Sequence, residues 1–317
     1  MKLTRRALPF LATPALAQAP WPDRPLRLLV PFAPGGVTDS IARLSAEWLT
    51  PRLGQPVVVE NRTGANGAIA VEAVVRARPD GYTLLTASAS QMVMLPALTR
   101  LPFDTTRDLV PIAIMGANPQ VLAVSTRINT PDLASFLAYL RAQQGRAAYS
   151  SGGNGSSNHL AMALLLQRAG LEATHVPYRG GAPAVAGLLA GDVVAYFGNP
   201  SDVISHHGGP AIRVIAVAGP ERMPALPAVP TVAEQGFPGF RAETWNGIAA
   251  PAGTPAPVIE RLAGVLGAAC ADGGFRASLE RLGTLPVCSS PPQMAAAIAS
   301  DGPLWAELVR NARISIE

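Results

Sequence analysis

Two loops in this chain carry residue types and spacing suited to holding an anion. The first is Pro31-Phe32-Ala33-Pro34-Gly35-Gly36-Val37-Thr38-Asp39. Its glycines let the backbone turn sharply and approach a ligand with no Cβ in the way. Thr38 or Asp39 can cap a helix whose free N–H groups, backed by the helix dipole, favour a carboxylate or phosphate. An ordinary strand-to-helix turn with an Asp cap would use the same residues. The second loop is Tyr149-Ser150-Ser151-Gly152-Gly153-Asn154-Gly155-Ser156-Ser157-Asn158-His159, with a helix beginning near Ser156 or Ser157. Its hydroxyls and amides can hold a second anionic group or the other side of the same one, and a flexible Gly/Ser loop is the plainer reading. In a third stretch, His175-Val176-Pro177-Tyr178-Arg179-Gly180-Gly181, Arg179 either grips a carboxylate in two places or lies solvated on the surface. Tyr178 either presents its ring or hydroxyl to a cleft or packs.

Several enzyme classes fail on these residues. Neither loop contains Gly-x-Ser-x-Gly, and the first reads Pro-Gly-Gly rather than Gly-x-Gly-x-x-Gly. There is no His-Glu-x-x-His, and His159, His175, His206 and His207 lack ligand spacing with a carboxylate cluster, so no metal site is expected. Lys2 is the only lysine. Once the N-terminus is removed, a P-loop lysine, a Schiff-base lysine and a pyridoxal-phosphate anchor are impossible. The competing reading is an exported α/β hydrolase with Ser156 as nucleophile and His159 as base, which would put both on one helical turn. No catalytic residue and no cofactor are expected.

These loops need strands to end at them and helices to start from them. Short Val-, Ile- and Leu-rich runs alternate with segments of helical period: Leu26–Phe32, a helix from Thr38, Val57–Glu60, a helix over 67–78 and Tyr82–Thr86. The alternation restarts at Leu122–Ser125, with a helix opened by Thr130-Pro131-Asp132 that has Pro in its first turn, and runs to a strand at Ile212–Ala218. Trp245–Ala250 opens a last part with helices over 255–271, 275–282 and 292–312. The chain has 317 residues, more than one core usually holds, so two domains are expected. The pattern predicts an α/β fold of two lobes, each a mostly parallel sheet wrapped by helices. Lobe 1 is discontinuous, 20–121 plus 247–317, and lobe 2 is 122–246. The chain crosses between them near 117–122 and 243–247, so the interlobe cleft is the natural ligand site.

The first 19 residues read as a signal peptide: Lys2, Arg5 and Arg6 precede an apolar Ala7–Leu16 stretch and small-residue cleavage sites at Ala15-Leu16-Ala17 or Ala17-Gln18-Ala19. Pro9 favours the general export route, and twin-arginine export stays open. Removing those three cations from the 25 basic residues leaves 22 against 21 acidic ones, which gives no reason to expect nucleic acid or an anionic membrane as partner. In an exported protein Cys270 and Cys288 are either a disulfide or two buried thiols.

A series of motifs along the whole mature chain resembles one family. It comprises the 31–39 loop, Asn61-Arg-Thr-Gly-Ala-Asn-Gly67, Leu101-Pro-Phe-Asp104, Asn154-Gly-Ser-Ser-Asn-His-Leu160, Val176-Pro-Tyr-Arg-Gly180, Leu226-Pro-Ala-Val-Pro-Thr-Val-Ala-Glu234 and Ala250-Pro-Ala-Gly-Thr-Pro255. The chain resembles the Bug-type solute-binding proteins of tripartite tricarboxylate transporters. The resemblance implies a periplasmic, monomeric receptor of the type II Venus-flytrap architecture that hands a small organic carboxylate to a two-subunit membrane permease. It also implies a ligand set: Phe32, Ala33, Gly36, Val37 and Asp39 in one lobe, with Gly155, Ser156 and Ser157 opposite. Ser88, Ser90, Tyr178 and Asn199 would complete the pocket. Family members often carry Asp where this chain has Gly198. Its absence implies a ligand without an amino group, and a bulkier one, because glycine there would leave space.

Overall fold

The computed structural model describes residues 21–312, so the expected signal peptide lies outside the described residues. β1 (Leu26–Val30) leads into α1 (Val37–Leu53), β2 (Val57–Asn61), α2 (Ala68–Val75), β3 (Thr83–Ser88), α3 (Leu95–Leu98) and β4 (Leu109–Pro119). Next come β5 (Val121–Ser125), α4 (Leu133–Gln143), β6 (Ala148–Ser151), α5 (Ser157–Ala169), β7 (Thr174–Pro177), α6 (Gly181–Ala190), β8 (Ala195–Gly198), α7 (Pro200–Val203) and β9 (Ile212–Val217). The chain ends with β10 (Glu243–Pro251), α8 (Ala256–Gly267), α9 (Gly273–Arg281), β11 (Leu285–Pro286) and α10 (Pro291–Ala312).

The strands form two sheets, in the orders β11-β4-β10-β3-β1-β2 and β7-β6-β8-β5-β9. The result is a two-lobed α/β protein. Both sheets are mixed. The expected parallel pairing is present among β2, β1 and β3 and among β7, β6 and β8, where helices make the crossovers. The remaining pairs are antiparallel. The physical reason lies in the connections. β4 carries the chain out toward the second sheet and β10 brings it back, so the two run side by side in opposite senses. Gln120, between β4 and β5, donates its N–H to Ala242 O at 3.0 Å and accepts from Ala218 N at 2.7 Å. The outgoing and returning segments are thus tied together at the crossing.

β4 was not anticipated as a strand. It is almost wholly buried along its length, so it lacks the alternation of a half-exposed strand, and Pro111 and Pro119 read as breakers. Near residue 130, Pro131 lies outside α4 rather than in its first turn. Asp132 is the N-cap, its side chain accepting from Ser135 N in a capping box. Cys270 and Cys288 are joined as a disulfide. The core is not confined to one sheet: Trp305 and Leu308 of α10 share one buried apolar cluster with Leu160 and Leu165 of α5.

Candidate functional site

The first loop is held by its own helix. Gly36 is the N-cap of α1 and is extended, and no side chain caps this end. Asp39 turns back instead: its Oδ2 accepts the Gly35 N–H at 2.9 Å and its Oδ1 accepts Asn61 Nδ2 at 2.8 Å. Arg43 closes on the same carboxylate at 2.9 and 3.0 Å. Gly35 has φ +90, a conformation glycine adopts without strain. Burial pulls the Asp39 carboxyl upward, but the bonds from Arg43, Gly35 and Asn61 outweigh it and hold it below the usual carboxylate range. Asp39 is therefore an ionised clamp on the loop. Phe32 is half-buried, with its carbonyl accepting from Asn61 Nδ2 at 2.9 Å, while Ala33 and Gly36 are exposed. The first intrahelical bond is Ser40 N to Gly36 O, so the N–H groups of the first turn, from Val37 onward, have no partner within the helix.

The second loop is held by histidines. Ser156 is the N-cap of α5, and its Oγ accepts the backbone N–H of His159 at 3.3 Å. His159 Nδ1 accepts the Gly155 N–H at 3.1 Å, and His175 Nε2 lies 2.6 Å from Ser151 Oγ. The two imidazoles stack with centroids 3.8 Å apart, and Tyr149 stacks on His175 at 5.1 Å. Burial, with the neighbouring His175, lowers the His159 pKa to about 4, and burial lowers that of His175 too. Both rings are neutral at physiological pH. The expected nucleophile and base do not form a couple: Ser156 Oγ faces a backbone N–H, and His159 Nδ1 is occupied by Gly155.

The remaining expected residues are buried or half-buried. Ser88 is buried and bonded to Gln91 Oε1 at 2.5 Å, and Gln91 Nε2 reaches Asn66 O at 3.1 Å. Ser90, half-buried, follows β3. The Tyr178 ring packs on α6, where a Cβ at Gly187 would overlap its hydroxyl. Half-buried Asn199 is the N-cap of α7 and accepts from Asp202 N at 3.1 Å. Gly155, Ser156 and Ser157 follow β6, Tyr178 follows β7 and Asn199 follows β8, all at the carboxyl ends of parallel strands.

Gly198 does not leave space. A Cβ there would overlap the Tyr196 ring and hydroxyl and the Asn158 amide. Tyr196 Oη donates to Asp202 Oδ2 at 2.5 Å and accepts from Asn158 Nδ2 at 3.2 Å. Burial raises the Asp202 carboxyl above its ordinary value despite the bonds from Tyr196 and Asn199. Tyr196 and Asp202 escaped sequence reasoning because nothing in a buried Ala-Tyr-Phe-Gly strand signals a polar partner across a loop. A cavity of about 730 Å³ lies elsewhere, between the 92–106 segment and α10, and none of the loop residues lines it.

The profile of the tripartite tricarboxylate transporter family receptor matches residues 41–313. The chain belongs to this receptor family. Protein BugT of Bordetella pertussis is 37% identical over 309 residues, which cover 95% of this chain and 94% of BugT. Among solved structures, the periplasmic binding protein BugD superposes with a TM-score of 0.80 at 32% identity, covering 93% of this chain and 99% of that one. An R. palustris protein solved with adipate gives 0.83 at 30% identity, with 93% and 99% covered. MatC from Rhodopseudomonas palustris, with bound malate, gives 0.79 at 30% identity, with 91% and 100% covered. Receptors of this family bind solutes and are not enzymes, in keeping with the uncoupled Ser156 and His159. Among the described residues no helix is long and apolar enough to cross a membrane.

Proposed function

We propose that this receptor is exported to the periplasm, captures a small organic carboxylate between its lobes as a monomer, and delivers it to a membrane permease of one large and one small subunit. One observation carries the reading. Gly35 and Gly155 each give their N–H to a group of their own lobe, Asp39 and His159 Nδ1. Both loops are thereby fixed, and the first-turn N–H groups of α1, with those of Ser157 and Asn158 in α5, remain as the donors a carboxylate would meet. Phe32, Ala33, Gly36 and Val37 on one side, and Ser156, Ser157 and Asn199 on the other, then contact the ligand, with Ser90 at the margin. Asp39, Ser88, Gly155 and Tyr178 support them from behind. The lobes are taken as 20–121 plus 247–317 and 122–246. Closure is the mechanism: a ligand bridging both lobes stabilises the closed state by its greater affinity for that state.

The ligand lacks an ammonium group. The carboxylates next to the loops are already engaged, Asp39 by Arg43 and the Gly35 N–H, Asp202 by the Tyr196 hydroxyl. The bound adipate and malate of two relatives agree with an acid of this kind. Mass spectrometry of ligand released from denatured native protein, followed by calorimetric titration, tests the reading. Adipate and malate are to be compared with 2-aminoadipate and aspartate. The acids without an amino group are expected to bind at least about tenfold tighter, for want of a free anion to meet the ammonium. A clear preference for an amino acid would reject the assignment.

A further inference from the structure

Four buried polar side chains run in one hydrogen-bonded line from the first loop across the strands that connect the lobes. The Thr38 hydroxyl donates to Asn246 Oδ1 at 2.7 Å, and Asn246 Nδ2 donates to Asn118 Oδ1 at 3.3 Å. Asn118 Nδ2 then donates to Thr284 Oγ1 at 2.7 Å and to Gly283 O at 3.3 Å. None of the four is more than 9% exposed. Packing alone would be served by apolar side chains, because buried polar groups are unfavourable unless every one is partnered. A satisfied line, by contrast, fixes relative positions, since moving one member strands the next.

The elements it joins give the line its meaning. Thr38 stands in the first turn of α1, whose N–H groups border the first loop. Asn246 lies on β10 and Asn118 on β4, the two strands that carry the chain between the lobes. The β10–β4 ladder shifts register between Asn246 and Gly247, and bulges of this kind re-aim a side chain. At the far end Gly283 meets the second lobe: a Cβ there would sit 3.4 Å from Ser201 N and 3.5 Å from Pro200 Cβ. These residues directly follow Asn199. A Cβ on Gly116 would overlap the Thr284 methyl, so glycine at 116 lets the 283–284 turn lie this close to β4.

We propose that Asn246 and Asn118 are positioning residues. Through them the interior of the protein registers the first-turn N–H groups of α1 against the second lobe before any ligand bridges the two. Its bearing on affinity rests on the carboxylate reading of the first loop. The line itself does not.

The test is hydrogen exchange on the unliganded mature protein, following peptides that cover 33–40 and 199–203. Thr284→Val removes the far-end hydroxyl at nearly constant volume, and neither peptide contains residue 284. It is expected to speed exchange across 33–40 by about tenfold, as coupled sites in one network do, while Thr284→Ser behaves as wild type. Thr38→Val is expected to act in reverse on 199–203. Thr105→Val is the control. Its buried hydroxyl donates to Met92 O outside the line, and it should leave both segments unchanged. If Thr284→Val leaves 33–40 unaltered, or if Thr105→Val moves it equally, the proposal is overturned. No ligand enters this measurement. A wild type that shows normal exchange behaviour but binds no carboxylate counts against the receptor reading instead.

Discussion

The Asp39 carboxylate accepts the Gly35 N–H at 2.9 Å within its own loop, and Arg43 grips the same carboxylate from the next turn of α1. In the proposed receptor reading, Asp39 acts on the ligand through the backbone it fixes. Asp39→Ala is expected to free the loop by removing the acceptor of the part-buried Gly35 N–H and Asn61 amide, a loss of about 1 kcal/mol in stability. Affinity for the native acid should fall along with it. Asp39→Asn keeps an acceptor for Gly35 but loses the ion pair, so it should lie between. The Asp39 carboxyl is held below its ordinary value, so its contribution is complete at neutral pH and declines once pH drops below the ordinary Asp range. It disappears only as pH falls through the lowered value. Denaturant midpoints of wild type and Asp39→Asn between neutral and strongly acid pH check this: the gap should close only at the acid end.

Much of the architecture was legible because local pattern and global fold agree. Strands such as Leu26–Val30 and helices such as Ser157–Ala169 announce themselves through apolar runs, caps and Gly-rich turns. β4 was hidden for the opposite reason: buried on most residues without alternation and bearing two prolines, it has no period to read. The site divided in the same way. The loops were visible as glycines, serines and a helix start, which are local signals. The hydrogen bonds of Asp39 and the packing of Tyr178 were not, because they depend on partners distant in sequence. Asn61 on β2 is one such partner and Gly187 on α6 another.

The imidazole stack predicts an acid sensitivity. His159 must be neutral to accept the Gly155 N–H, and burial together with His175 lowers its pKa to about 4, while an unfolded histidine titrates near 6.5. Between these values the unfolded chain binds the extra proton, so stability falls as pH drops from about 6.5 toward about 4 and levels off below. His159→Asn retains an acceptor near the Nδ1 position and cannot titrate. Its stability should change less over the same window. Equal slopes for wild type and variant in urea titrations at successive pH values would contradict this account.

Gly198 is expected to tolerate nothing larger. The Cβ of Gly198→Ala would meet Tyr196 and Asn158, which are bonded to each other, with Tyr196 also held by Asp202, so neither can give way cheaply. Overpacking of this kind destabilises by about 1–3 kcal/mol. Thermal unfolding of Gly198→Ala beside wild type reads the effect, and an unchanged midpoint would mean that Tyr196 can move aside.

The disulfide should separate stability from binding. Cys270 follows α8 and Cys288 follows β11, and the bridge closes an interval of 18 residues that contains α9. In the chain-entropy account, a loop of this size restricts the unfolded state by about 3 kcal/mol. The folded state keeps independent anchors here. Val287 N donates to Met115 O at 3.1 Å and Ser289 N to Ile114 O at 2.9 Å, both on β4. The double variant Cys270→Ser, Cys288→Ser is therefore expected to lose about 3 kcal/mol in urea, while its affinity for the native acid stays within about twofold, because neither cysteine is hydrogen-bonded to either loop or to the Thr38–Thr284 line. Calorimetry and urea titration on the same preparation check both halves. A loss of affinity that exceeds the loss of folded protein would show that the bridge helps to hold the 283–284 turn in place.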